Sequence, residues 1–138
     1  MKQRRFERVV VLLDSSTVVG DAGVGFAASL LGADGYMTLA VSISGPEASG
    51  LREFADAEEV SISEAAELYL EQVAERLGPY RVNTSTLDGT DLAGDLKAVV
   101  DESSADAAVV PASLAARALE HKTLSFPILV VPDELTAP

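Results

Sequence analysis

The run Val9-Val10-Val11-Leu12-Leu13 constrains the fold more than any other stretch of the chain. Unbroken β-branched and leucine residues leave no polar side, so a strand made of them must be buried on both faces. That is the situation inside a parallel sheet covered by helices above and below. Two later runs, Ala107–Val110 and Ile128–Val131, read the same way. Between the first two lie segments with a helical period. Ala22, Phe26, Ala27, Leu30 and Leu31 share one spacing, with Gly32 as the helix stop. Tyr36–Ile43 reads as a second strand. Gly45–Val60, with Gly, Pro and many charges, reads as a loop or a frayed helix. Ser61 and Glu64 form a capping box ahead of a helix whose apolar face is Ala66, Tyr69, Leu70, Val73 and Leu77. Gly78-Pro79 stops it.

Arg81–Leu87 alternates and has the more polar face expected of a strand at a sheet edge. Asp88-Gly89 turns the chain, and Thr90 or Asp91 caps a helix with Leu92, Leu96, Val99 and Val100 inward. Leu114–His121 reads as a short helix before the last strand. The resulting order, β-α-β-α-β-α-β-α-β, implies a parallel sheet with right-handed crossovers and helices on both faces. At 138 residues the chain is expected to form one domain, with a core over about residues 8–132 and a basic arm at 1–7.

Charge and composition exclude several function classes. Net charge is −12, yet the first eight residues carry +3 and the remainder −15. A body this acidic repels nucleic-acid phosphates and anionic membranes, so neither is an expected partner. No apolar run approaches the ~18–20 residues that cross a bilayer, and no signal-peptide core precedes Asp14. The expected location is cytoplasmic. Without cysteine there is no disulfide, thiolate catalysis or zinc–thiolate site.

Several local patterns, in order, carry a resemblance. Asp14-Ser15-Ser16 closes the first strand, and Leu87-Asp88-Gly89-Thr90-Asp91 follows the third. Ser104-Ala105-Asp106-Ala107-Ala108-Val109-Val110 leads into the fourth, and Phe126-Pro127-Ile128-Leu129-Val130-Val131-Pro132 makes a Pro-initiated last strand. With these the chain resembles the universal stress protein family over roughly residues 8–132. The resemblance implies a doubly wound five-stranded α/β sheet of order 3-2-1-4-5 and a homodimer through the last strand, Ile128, Leu129, Val130 and Val131. It also implies a nucleoside crevice at Asp14, Ser15, Ser16, Val41, Ala112 and Ser113, the matching Asp of the family facing the nucleoside.

The chain departs from that pattern where it matters most. Nucleotide-binding members of the family carry a Gly-x-x-Gly loop after strand four and a Gly-Ser or Gly-Thr about nine residues later, whose backbone N–H groups cradle phosphates. Here the 14 residues from Ala112 to Ser125 contain no glycine. A crossover needs roughly 10–12 residues, so the helix uses up the chain and leaves no room for a cradle. Of the nearby cations, Arg117 and Lys122, at most one is expected to reach the crevice.

Other candidates are read against blander roles. Asp14 either contacts a ligand at the switch point of the sheet or caps the following helix. The segment Gly20-x-x-Gly23-x-Gly25 either packs a helix closely or forms a displaced phosphate site. Ser42 and Ser44 either meet a ligand or satisfy their own loop. Asp88, Asp91 and Lys122 are read as turn and cap rather than as a phospho-accepting centre. His121, near a helix end, complements the dipole. The acidic run from Glu47 to Glu67 is read as a solvated face. No catalytic or metal site is expected. The sequence thus leads to a non-catalytic homodimeric stress-response module that acts on an unidentified protein partner. It has no cofactor, and ATP binding is lost or weak. The alternative is an ATP- or AMP-binding protein with a phosphate site of its own.

Overall fold

The computed structural model describes residues 6–15, 22–77, 81–120 and 126–131. Among the described residues five strands, β1 (Phe6–Leu13), β2 (Leu31–Ser42), β3 (Arg81–Leu87), β4 (Ala107–Pro111) and β5 (Ile128–Val131), form one sheet in the order β3-β2-β1-β4-β5. Every neighbouring pair is parallel. Strand order reverses between β1 and β4, which makes the carboxyl end of β1 the switch point where open α/β sheets form their crevice.

Alternation along β1 explains its unbroken apolar run. Val9, Val11 and Leu13 enter one core with Met37, Leu39, Val41 and Val109. Helices α1 (Ala22–Leu30), α2 (Ser49–Glu58) and α3 (Ile62–Glu75) cover that face, contributing Ala27, Leu51 and Leu70 among others. Val10 and Leu12 enter the opposite core with Ala40, Ala108 and Val110, under α4 (Leu92–Ser103) and α5 (Ala112–Ala118). The central strand thus serves two layers at once, which only side chains apolar on both faces permit.

Several boundaries differ from the sequence reading. β1 opens at Phe6, so the last residues of the expected arm belong to the sheet. β2 opens at Leu31, taking Leu31 and Gly32 from the end of the helix. Phe6 pairs with Leu31, the register then shifts, and a regular ladder runs from Arg8–Tyr36 to Leu13–Val41. Phe26, expected to face inward, is 39% exposed, because α1 turns Val24 and Ala27 to the sheet instead. The stretch 45–60 is no loop: a single 3₁₀ turn at Pro46–Ala48 leads directly into α2. Glu59, in the left-handed region at φ 54°, ends that helix. α5 opens at Ala112, earlier than Leu114, with no residue between it and β4. β3 lies at one edge of the sheet and β5 at the other, as expected.

Candidate functional site

Four chain segments meet at the carboxyl edge: the end of β1, the 3₁₀ turn after β2, the Gly89 turn after β3, and α5 after β4. Asp14 leaves β1 and is only 2% exposed. Its Oδ2 accepts a hydrogen bond from the Ser113 hydroxyl at 2.6 Å, which ties the first turn of α5 to the switch point. Helix α1 is described from Ala22, and residues 16–21, on which the capping role of Asp14 would act, lie outside the described residues. The carboxylate meets α5 at the crevice through Ser113.

The centre of the crevice is taken by an ion pair. The Glu47 carboxylate, with its side chain wholly buried, receives Nη1 of Arg117. Arg117 also donates from Nη2 to the carbonyl oxygen of Gly89 at 2.7 Å. Ser15 Oγ donates to the Glu47 carbonyl at 2.9 Å, so the end of β1 holds the turn in place. Gly45 precedes the turn at φ 79°. A Cβ there would stand 2.6 Å from Glu47 Oε1 and 3.2 Å from Arg117 Nη1, so only glycine leaves room for the pair. Gly89, at φ 90°, is as tightly placed, since a Cβ would meet Ser42 Oγ at 2.0 Å.

Of the six crevice residues read from sequence, Asp14 and Ser113 are in direct contact, and Ser15 anchors the turn. Val41 is fully buried opposite Leu13, at the last rung of the β1–β2 ladder. Ala112 is exposed at the start of α5. Ser16, Gly20, His121 and Lys122 lie outside the described residues. Ser42 and Ser44 satisfy their own loop: Ser42 Oγ donates to the Ser44 carbonyl at 2.8 Å, and Ser44 Oγ to the Asp88 carbonyl at 2.6 Å. Asp88 accepts from Thr90 Oγ1 at 2.7 Å, and Asp91 caps α4 by accepting from the Gly94 N–H at 3.1 Å, as a turn and a cap should. Gly23 packs α1 onto the sheet, where a Cβ would lie 3.2 Å from Val109 Cγ1.

Glu47 is the residue that sequence reasoning misplaced. It belongs to an acidic run read as solvated, yet it is 2% exposed. The available signal was its position, two residues past a glycine and directly after Pro46, outside the helical period of the rest of the run. Arg117, the one of the two nearby cations that lies among the described residues, reaches the crevice. A cavity of about 220 Å³, lined by Leu51, Phe54, Tyr69 and Gln72, opens beside Ser15 and Gly50. Among the described residues no three carboxylate or imidazole groups gather as metal ligands, and no helix is long and apolar enough to cross a membrane.

Comparison with solved structures defines the class. The hypothetical protein MJ0577 matches with a TM-score of 0.72 over 96% of this chain and 100% of its own, at 13% identity. A member of the universal stress protein family from Burkholderia pseudomallei matches at 0.61, with 20% identity over 95% of this chain and 99% of that one. A universal stress protein solved in complex with cAMP matches at 0.56, with 19% identity over 95% and 100%. No family model and no curated protein sequence matches the chain. The chain has the universal stress protein fold, an α/β fold with a parallel sheet, over nearly its whole length. Identities this low carry the architecture alone.

Proposed function

We propose that this chain is a divergent universal stress protein: a non-catalytic, homodimeric stress-response module that acts by binding a protein partner, with ATP binding lost or weak. The observation that carries the reading is the junction of β4 and α5. Pro111 ends the strand and Ala112 begins the helix, so the place of a phosphate cradle is filled by helical backbone. Pro111 offers no N–H, and the Cβ atoms of Ala112, Ala115 and Ala116 keep a phosphate from the backbone N–H groups of the segment. The net charge of −12 adds long-range repulsion.

Thermal unfolding with Mg-ATP tests the reading. A ligand of ~10 μM dissociation constant at ~1 mM would stabilise the fold by about 2.7 kcal/mol. For a domain of this size that raises Tm by roughly 5 °C or more. The expected shift is below about 1 °C, with no titratable heat; a saturable shift of several degrees would overturn the reading. The second reading, a nucleotide-binding protein with its own phosphate site, is favoured by the similar universal stress protein solved with cAMP. ATP or AMP co-purifying at near one per chain would establish it.

A further inference from the structure

The Glu47–Arg117 contact crosses the switch point of the sheet. Arg117 stands on α5, after β4, while Glu47 follows β2 and Gly89 follows β3. Since β1 lies between β4 and β2, the guanidinium reaches from one half of the sheet to the other over the end of β1. Three features separate this pair from an ordinary surface ion pair. The Glu47 side chain has no exposure at all, whereas that of Arg117 has 37%. Among the described residues Glu47 Oε2 is buried without a hydrogen-bond partner, an arrangement that costs stability. And Gly45 is the residue whose lack of a Cβ makes room for both partners.

From these we infer that Glu47 is an internal ligand: its carboxylate holds, on Arg117, the place of the phosphate of an anionic ligand, for which Mg-ATP is the probe, and the crevice becomes competent when Glu47 leaves. The inference rests on the reading of weak nucleotide binding and gives that weakness a second cause, separate from the missing cradle. The exchange is balanced in charge. Glu47 passes to water as Arg117 passes to phosphate, and a guanidinium pairs with either anion in the same forked geometry. The carriage for the movement is short, a single 3₁₀ turn between Gly45 and α2, held by Ser15 Oγ on the Glu47 carbonyl and by Arg52 Nη1 on the Gly45 carbonyl at 3.1 Å. Because the group displaced is an anion and the receiving group is a cation, an uncharged nucleoside gains nothing from the exchange.

Calorimetric titration of the full chain with Mg-ATP, and in parallel with adenosine, tests this. The proteins are wild type, Glu47→Ala and the double variant Glu47→Ala/Arg117→Ala. A binding-competent state populated at a tenth or less weakens apparent affinity by that factor, so Glu47→Ala is expected to bind Mg-ATP at least about tenfold more tightly than wild type. The double variant is expected to lose the gain, and adenosine to show none. Glu47→Ala is expected to fold, because the guanidinium it leaves behind is more than one-third exposed. Glu47→Gln, which removes the charge and keeps the shape, gives a smaller gain of the same sign should the alanine variant not fold. Three results would overturn the inference: no gain in either Glu47 variant, a gain that survives loss of Arg117, or an equal gain for adenosine. Tight binding by wild type overturns instead the weak-binding reading, and the inference is then decided by whether the Glu47 variant binds tighter still.

Discussion

Arg117 and Glu47 differ in what each leaves behind when it is removed. Without Arg117 neither oxygen of the Glu47 carboxylate, wholly buried in the intact protein, keeps a partner among the described residues. Removing one partner of a buried pair costs about 3–5 kcal/mol, and the partial exposure of Arg117 places this pair at about 3. Without Glu47 the guanidinium keeps Gly89 and water, and the buried orphan oxygen disappears with the side chain. Glu47→Ala is therefore expected to cost about 1 kcal/mol, well below Arg117→Ala. Urea unfolding of the two variants measures the order directly. Equal costs, or a larger cost for Glu47→Ala, would mean that the carboxylate is not buried as the structure has it. Gly45 belongs to the same argument. Gly45→Ala meets both a positive φ and the pair itself, and is expected to destabilise by about 1–3 kcal/mol, read in the same urea experiment. A neutral Gly45→Ala would show that the pair yields easily. Little of this was visible in the sequence, because the pair joins residues 70 apart and the one local mark of the buried glutamate is its place directly after Gly45-Pro46.

At the scale of single elements, sequence and structure agree where the signal is local. The strands were legible because β-branched residues and alternation act over a few positions, and Arg81–Leu87 and Ile128–Val131 fall where expected. Caps were legible for the same reason. Ser61 Oγ accepts the Glu64 N–H at 3.1 Å, but Glu64 Oε1 lies 3.5 Å from that same hydroxyl instead of on the Ser61 N–H, so half of the expected box has formed. Ser61→Ala is thus expected to cost about 1 kcal/mol, and Glu64→Ala only a few tenths, by thermal unfolding. Comparable losses would mean that the reciprocal bond exists in solution. Elements set by tertiary contact were only half legible. The stretch 45–60 reads as a loop or a frayed helix, and burial of Leu51 and Ala55 decides for the helix α2. The rotation of α1, which leaves Phe26 outside, is set by the close approach of Gly23 to Val109, a contact 86 residues away in the chain. The candidate site divides in the same manner. Asp14 and Ser113 could be read from strand ends, whereas the Glu47 carboxylate that pairs with Arg117 could not.

For the whole molecule the open question is what covers the β5 edge. Among the described residues β5 pairs with β4 on one side and is the last strand of the sheet, and it carries no charge. Val130 is 47% exposed, and Ile128 and Leu129 are half-buried. An uncharged apolar edge is a template for strand pairing, and folded proteins leave few of them open. Two copies pairing antiparallel across a two-fold axis would cover it with one self-complementary contact. Each copy also brings a charge of −12, so association works against repulsion that salt screens over about 10 Å at 0.1 M. The expected outcome is a homodimer at micromolar concentration by sedimentation velocity, tighter at ~0.5 M than at ~0.02 M sodium chloride because the Debye length falls severalfold. Val130→Lys places two like charges at the centre of the pairing and is expected to give a folded monomer, with circular dichroism unchanged. A species of 14.4 kDa for the wild type at every concentration up to ~100 μM would remove the β5 interface, since an edge contact weaker than that stabilises too little to matter in solution. A dimer that weakens as salt is added would also remove it, because a contact between two uncharged edges on acidic bodies has no attractive charge to screen.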